Sequence, residues 1–207
     1  MRRLALAAAL MVAAASVPAQ DAPRIALGAG YSVAAPVGEG WTERGEGAQR
    51  SYSRVLGPET HTMVMMTAAG PSGITREQLA AIANADSKEG ATLLLRAVSG
   101  FMAAAWKWHA AGLDRGRYTV LSKEDTSDAK FAGDIMCAAT RIRARDRGPE
   151  GYSGEPLILR YVGYTCVSLK RLLDSAHVSY SERGLEADLS PAALEAGEAF
   201  ARSLRGE

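Results

Sequence analysis

Apolar and polar residues alternate along two neighbouring segments in the first third of the chain. The segments, residues 48–56 and 60–68, meet at Gly57-Pro58-Glu59-Thr60, a sequence typical of a hairpin connection. The pattern predicts a β-hairpin, preceded by a short strand at residues 31–35 and a turn at residues 36–47. Both faces of the second hairpin strand are substantially apolar, which predicts an internal strand covered on both sides.

The middle of the chain changes to the three- and four-residue spacing of helices. Thr75 with Gln78 three residues later has the form of a capping box and predicts a helix start. The predicted buried side of this helix is Leu79, Ile82 and Ala83. A long amphipathic helix follows and ends near Gly112, with Trp106 half-buried beside the sheet. Its predicted apolar stripe is Leu94, Ala97, Val98, Phe101, Met102, Ala105 and Trp108.

The last third returns to strand patterns and closes on a helix. Strands are predicted at residues 117–123, 131–145, 157–167 and 176–181, with a polar turn at 124–130 and a loop at 146–154. Ser190-Pro191 supplies a capping serine and a proline at the first helical position, so a helix begins there. This order of elements predicts an α+β fold with a largely antiparallel β-sheet, a long helical insert and a C-terminal helix.

The first residues have the form of a secretory signal. Two arginines precede an apolar run of about 14 residues, Leu4 to Val17, which is shorter than the roughly 20 residues of a membrane-spanning helix. A small-residue cleavage motif follows the run. We therefore expect a signal peptide at residues 1–20 and a single exported domain at 21–207, periplasmic or secreted, without an integral membrane segment. Residues 21–30 lack a periodic pattern and are predicted to form a loose leader.

The charge balance bears on the kind of partner. The formal net charge is +1, and loss of the two arginines of the signal leaves −1. A nucleic-acid-binding surface needs positive charge to offset the phosphates, so no nucleic-acid partner is expected. The oligomeric state stays open.

The two cysteines, Cys137 and Cys166, both lie in the exported part, where the compartment favours disulfides. Strand alternation places both cysteines on the strand faces that carry arginines. A disulfide between antiparallel neighbours requires its two cysteines to lie on one face of the sheet in this way. We expect a disulfide that closes a loop of about 30 residues and contributes about 3 to 4 kcal/mol. No Cys-x-x-Cys spacing supports a redox-active pair.

Candidate metal and cofactor sites are few. A strand places His61, Met63 and Met65 on one face, and imidazole with thioether ligands suits copper(I). Methionines in a strand core explain the same pattern without a metal, and no His-Glu-x-x-His motif is present. Gly28-Ala-Gly30 lacks the third glycine of a dinucleotide fingerprint and precedes a strand instead of following one. We therefore expect no cofactor, with the copper site as the alternative.

Catalytic and anion-binding patterns are equally sparse. No Gly-x-Ser-x-Gly elbow and no supported Ser-x-x-Lys pair occurs, so a hydrolase would need a site built from dispersed residues such as His61, His109 or His177. A row of arginines on one predicted strand face, joined by one from the next strand, is a candidate anion or partner surface: Arg141, Arg143, Arg145 and Arg160. A solvated strand face is the commoner explanation of such a row.

Several segments together carry a resemblance to known proteins. They are the signal, the strand, turn and hairpin of residues 31–68, the paired cysteines, Tyr180-Ser-x-Arg183 and the closing Glu198-Ala-Phe200-x-x-Ser-Leu204 helix. Their order resembles small secreted or lipid-anchored bacterial proteins of unknown function, with a layout similar to the PsbP and Mog1 type of α/β/α sandwich. The resemblance implies an antiparallel sheet covered by helices on both faces. PsbP proteins assist assembly of a membrane complex and Mog1 proteins bind protein partners, but no functional residue of either family matches here.

The sequence thus predicts an exported domain without a recognisable catalytic constellation. We expect a non-enzymatic binding or accessory protein for a protein or cell-envelope partner. A small hydrolase and a copper-handling protein are the alternatives. A deep pocket that brings a histidine against a serine and a carboxylate would favour the hydrolase.

Overall fold

The structure is a computed structural model and describes residues 22–58, 60–111, 113 and 116–206. The signal peptide predicted at residues 1–20 and the helix end predicted at Gly112 lie outside the described residues. In chain order the elements are β1 Arg24–Gly28, β2 Tyr31–Ala34, β3 Thr42–Glu46, β4 Gln49–Val55, β5 Thr62–Pro71, α1 Arg76–Asn84, α2 Ser87–Ala111, β6 Tyr118–Ala132, β7 Ile135–Asp146, β8 Leu157–Ser168, β9 Arg171–Gly184, α3 Pro191–Arg202 and β10 Arg205–Gly206. Among these described helices, none has the length and apolar character needed to cross a membrane.

Seven strands form the central sheet, in the spatial order β3-β4-β5-β9-β8-β7-β6. All neighbouring strands run antiparallel, and the predicted β4–β5 hairpin is present. Strand β9 lies between β5 and β8, so it joins the N-terminal hairpin to the C-terminal strands. Residues of β5, β8 and β9 that are distant in sequence therefore share the middle of each sheet face.

Helices cover both faces of this sheet. Helix α1 begins at the predicted capping box, in which the Thr75 side chain accepts from the Gln78 N–H and Gln78 accepts from the Thr75 N–H. Helix α2 packs on β7 and β8 from one side, and α3, capped by Ser190, packs on β9 from the other. The layering confirms the predicted α+β fold with a largely antiparallel sheet, a long helical insert and a C-terminal helix.

A second, three-stranded sheet is formed by β1, β2 and β10. The β1–β2 connection turns at Gly28-Ala29-Gly30, where all three residues have positive φ, which glycine adopts without steric cost. The loose leader predicted at residues 21–30 instead contains β1, because Leu27 packs into the core with 1% of its surface exposed.

Cys137 and Cys166 face each other in the β7–β8 register and are bonded, which confirms the predicted disulfide. Both residues are fully buried in the larger apolar cluster, between the sheet and α3. A smaller cluster fills the space between the sheet and α2, and includes Phe101, Met102 and Val167. The disulfide therefore joins two central strands within the core.

Two segments predicted as turns are strands at the edges of the sheet. Residues 124–130 lie inside β6, and the chain reverses at Gly133-Asp134 instead. Polar residues are tolerated in β6 because an edge strand has a partner on one side only. The pairing of β6 with β7 is interrupted by two register irregularities. The turn predicted at residues 36–47 contains β3, the opposite edge strand, whose five residues are all exposed.

Three predictions of buried faces are wrong. Trp108 is 56% exposed, and the buried position at the end of α2 belongs to His109, which is 3% exposed. Ala83 is exposed on α1, and Met66 on β5 is 41% exposed, so β5 is only partly covered on its second face. Trp106 is half-buried as predicted, and its indole N–H donates to the Thr126 carbonyl.

Candidate functional site

A cavity of about 660 Å³ lies between α3, the strands β4 and β5, and the loop from β2 to β3. Its volume falls within the range of about 300 to 1,000 Å³ that is usual for small-molecule sites. Most of its lining is apolar and includes Val37, Trp41, Leu56, Met63, Met65 and Phe200. The polar side chains in the lining are Arg54, His61 and Ser190.

Helix α3 leaves the cavity open because its lining positions carry short side chains. These positions are Ala192, Ala193, Ala196 and Ala199. Phe200, two residues before the helix end, also lines the cavity and contacts Tyr52, with the two ring centroids 6.3 Å apart. A longer side chain at the exposed Ala196 would project into the space that the alanines leave.

A buried carboxylate lies behind the cavity wall. Glu182 on β9 is 0% exposed, and its Oε1 is 2.9 Å from His61 Nε2 and 2.9 Å from the backbone N of Ser190. Its Oε2 accepts from the Arg160 guanidinium. Burial alone would raise the pKa of Glu182, but the hydrogen bonds from His61, Ser190 and Arg160 outweigh it and hold the pKa below its usual value. An ionised carboxylate only accepts, so His61 donates through Nε2.

This network fixes the beginning of α3. Ser190 caps the helix, and its backbone N–H donates to Glu182 while its carbonyl accepts from Arg160 at 3.0 Å. The charges of Glu182 and Arg160 offset each other in the same contact. These bonds attach the start of α3, and with it one wall of the cavity, to the central strands β8 and β9.

Arg54 lies at the loop side of the cavity. Its guanidinium carbon is 6.0 Å from the centroid of the Trp41 ring, whose Nε1 donates to the Val37 carbonyl at 3.2 Å. Gly38 has positive φ, and an added Cβ there would lie 3.5 Å from Nη1 of Arg54, so the glycine lets the loop pass close to the guanidinium. The loop and the indole together hold Arg54 in the lining.

A second polar cluster lies on the opposite face of the sheet, beneath α2. The Thr165 hydroxyl is 3.0 Å from His109 Nε2 and 3.2 Å from His177 Nδ1, and the Tyr161 hydroxyl is 2.9 Å from His109 Nδ1. Trp108 contacts both rings edge-on, and with His177 it borders a cavity of about 340 Å³. Burial lowers the pKa of His109 to about 4 and, together with the neighbouring His109, that of His177 to about 3.

The structure separates the three candidate histidines. His61 lies in the larger cavity beside a carboxylate, whereas His109 and His177 lie together across the sheet, with ring centroids 5.0 Å apart. The hydroxyl groups bonded to the latter rings belong to Tyr161 and Thr165. The copper candidates His61, Met63 and Met65 do line one cavity wall. Over the described ranges, no group of three or more His, Cys, Asp or Glu side chains is placed to hold a metal ion.

The candidate arginine face is partly used within the chain. Arg160 is bonded to the buried Glu182, and Arg143 pairs with Glu186. Arg141 and Arg145 are exposed. The four arginines therefore do not form one uniform anion-binding surface.

Sequence reasoning missed the residues that shape the cavity, namely Arg54, Trp41, Glu182 and the alanines of α3. One signal for Glu182 was available, because it lies two positions after Tyr180 on a strand face that is otherwise apolar. A charged residue in that position needs partners, which indicates a buried polar network.

No family model and no curated protein matches this chain. Among solved structures, a mutant of "Protein Mog1" is similar, with 9% sequence identity and a TM-score of 0.40 over 89% of this chain and 95% of that chain. No residue role and no function is transferred from it.

We expect the free energy of unfolding to fall as the pH is lowered from about 6.5 to about 4, through His109 and His177. An unfolded histidine titrates near 6.5, whereas the folded-state pKa values are about 4 and about 3. The unfolded chain therefore binds more protons in this window. Each ring can lower the free energy of unfolding by up to about 1.4 kcal/mol per pH unit. Urea unfolding across the window measures the slope.

The control for this pH dependence is the double variant His109→Gln with His177→Asn, which lacks both imidazoles. Its stability should vary less steeply with pH over the same window. Asp125 and Lys123 face His109 and remain in the variant. A slope equal to that of the unchanged protein would contradict the assignment to these two rings.

Proposed function

We propose that this protein is an exported, non-enzymatic binding protein that holds the apolar part of a cell-envelope component in the cavity beneath α3. The observation that carries the proposal is the cavity itself, about 660 Å³ in volume and lined mostly by apolar side chains. Alanines on α3 keep this space open, although larger residues there would bury more apolar surface. An apolar ligand in the cavity would bury the apolar surface that the alanines leave exposed, and this burial favours binding.

Two further features support the proposed setting. The buried disulfide between Cys137 and Cys166 suits an oxidising compartment such as the periplasm. The secretory signal predicted at residues 1–20 points to the same compartment. The proposed ligand is therefore a component of the envelope that this compartment borders.

The polar groups of the cavity favour binding over catalysis. The Ser190 hydroxyl accepts from the Ala192 N–H as a helix cap, and His61 Nε2 is bonded to Glu182. A hydrolytic site needs a nucleophile within hydrogen-bond reach of a base, and in the described part of the chain no hydrogen bond joins the Ser190 hydroxyl to His61. The Ser190 hydroxyl therefore caps α3, and the His61 ring holds the buried Glu182.

Filling the cavity tests the proposal. The variant Ala196→Phe places a ring at the cavity wall on an exposed helix position, so we expect it to fold. We expect its affinity for the neutral apolar dye Nile red, followed by fluorescence, to fall by about tenfold or more. The matched control is Ala103→Phe, an exposed position on α2 outside this cavity, which should bind as the unchanged protein does. Equal dye binding by both variants would overturn the proposal.

Two alternatives were predicted from the sequence. A hydrolase would use His61 beside Glu182, or His109 and His177 across the sheet, and a copper-handling protein would use His61 with Met63 and Met65. The native mass of the protein isolated from its own compartment separates these possibilities. Bound copper that is lost on replacing Met63 and Met65 by leucine would favour the metal, and a bound lipid would favour the proposed function.

A further inference from the structure

We infer that the cavity beneath α3 selects anionic amphiphiles, whose apolar chain enters the cavity while a carboxylate or phosphate headgroup is held by Arg54. The inference rests on the proposed function and adds the chemical class of the ligand. The observation behind it is that the guanidinium of Arg54 has no ion-pair partner among the described residues. It lies in a lining whose other side chains are mostly apolar.

Arg54 supplies the positive charge of the cavity. Within the described part of the chain it forms no ion pair, whereas Arg50 on the same strand pairs with Glu43, and Arg160 behind the cavity wall pairs with Glu182. The guanidinium is half-buried against Trp41, so it interacts more strongly with an opposite charge than a fully solvated one does. A bound anion would therefore supply the counter-charge that the described part of the chain does not provide for Arg54.

The geometry places the headgroup position next to the apolar wall. Arg54 on β4 is opposite Met63 on β5, and both side chains line the cavity. A guanidinium binds carboxylate and phosphate oxygens in the same bidentate manner. A ligand held at Arg54 therefore has its chain directed along Met63, Met65 and the alanines of α3.

The far side of the cavity sets the orientation of the ligand. Glu182 lies behind His61, is fully buried, and stays ionised through its three donors. Because the charge of Arg160 offsets that of Glu182, the far side of the cavity offers an anionic headgroup no uncompensated positive charge, whereas an uncharged chain needs none. The charged end of the ligand thus stays at Arg54 and the apolar end enters.

The test uses four molecules with the same alkyl chain and different headgroups, measured by isothermal titration calorimetry below their micelle concentrations. They are decanoate, decyl phosphate, decanol and decyltrimethylammonium. We expect at least one of the two anions to bind about tenfold more tightly than decanol, and the cation to bind least. Whichever anion binds more tightly identifies the natural headgroup as a carboxylate or a phosphate.

The variant Arg54→Gln should lose the preference for anions and keep its affinity for decanol. Arg44→Gln is the matched control, because Arg44 is an exposed arginine of β3 outside the cavity lining. If decanol binds as tightly as both anions and Arg54→Gln changes nothing, the inference is wrong while the proposed function stands. If none of the four binds and Ala196→Phe leaves Nile red binding unchanged, the proposed function itself fails.

Discussion

Replacing Glu182 by alanine is expected to lower the free energy of unfolding by about 3 to 5 kcal/mol, the usual cost of breaking a buried ion pair. The carboxylate is fully buried and accepts from His61, from the backbone of Ser190 and from Arg160. Its removal leaves three donors without an acceptor and an arginine without its counter-charge. Urea unfolding near neutral pH, followed by circular dichroism, measures the change.

The control for this prediction is Glu43→Ala. Glu43 pairs with Arg50 at the surface, where the two side chains are 46% and 29% exposed, and such pairs contribute less than about 1 kcal/mol. If Glu182→Ala does not fold, Glu182→Gln keeps one acceptor oxygen and should show an intermediate loss. A loss from Glu182→Ala no larger than that from Glu43→Ala would show that the buried carboxylate does not fix the start of α3.

Removing the disulfide with the double variant Cys137→Ala and Cys166→Ala should lower the free energy of unfolding by about 3 to 4 kcal/mol. The bond closes a loop across a sequence separation of 29 residues, so it restricts the unfolded chain considerably. Both residues are buried between Val162, Tyr164 and their neighbours in the larger cluster, where alanine fits without introducing a polar group. Thermal and urea unfolding of the oxidised protein and the variant give the difference.

Chemical reduction provides an independent check on the disulfide. The unchanged protein in excess reductant should unfold at nearly the same urea concentration as the double variant. The double variant itself should not respond to reductant. An unfolding midpoint that stays the same after the bond is removed would contradict the predicted contribution.

The elements that the sequence predicted are those with local signals. The β4–β5 hairpin rests on a turn sequence, α1 on the capping box at Thr75, and α3 on the Ser190-Pro191 start. Each signal involves residues that are neighbours along the chain. The disulfide was predictable because the chain contains two cysteines, so a single intramolecular pairing exists.

The errors arose where contacts distant in sequence decide the outcome. His109 and not Trp108 is buried because Tyr161 and Thr165, on a remote strand, offer its ring two partners. Strand β3 and the second half of β6 escaped prediction because solvated polar residues interrupt the alternation that identifies a strand. The cavity could not be predicted because it depends on space that the alanines of α3 leave unfilled once the helix is docked.

The two edge strands also bear on how the molecule behaves at high concentration. The irregular pairing of β6 distorts the row of backbone groups that another copy would need for strand addition. Its charged residues Lys123, Glu124 and Asp125, and Glu43 and Arg44 on β3, would lose water in such a contact. These features oppose the edge-to-edge addition of another copy at both ends of the sheet, and with it the growth of the sheet into fibrils.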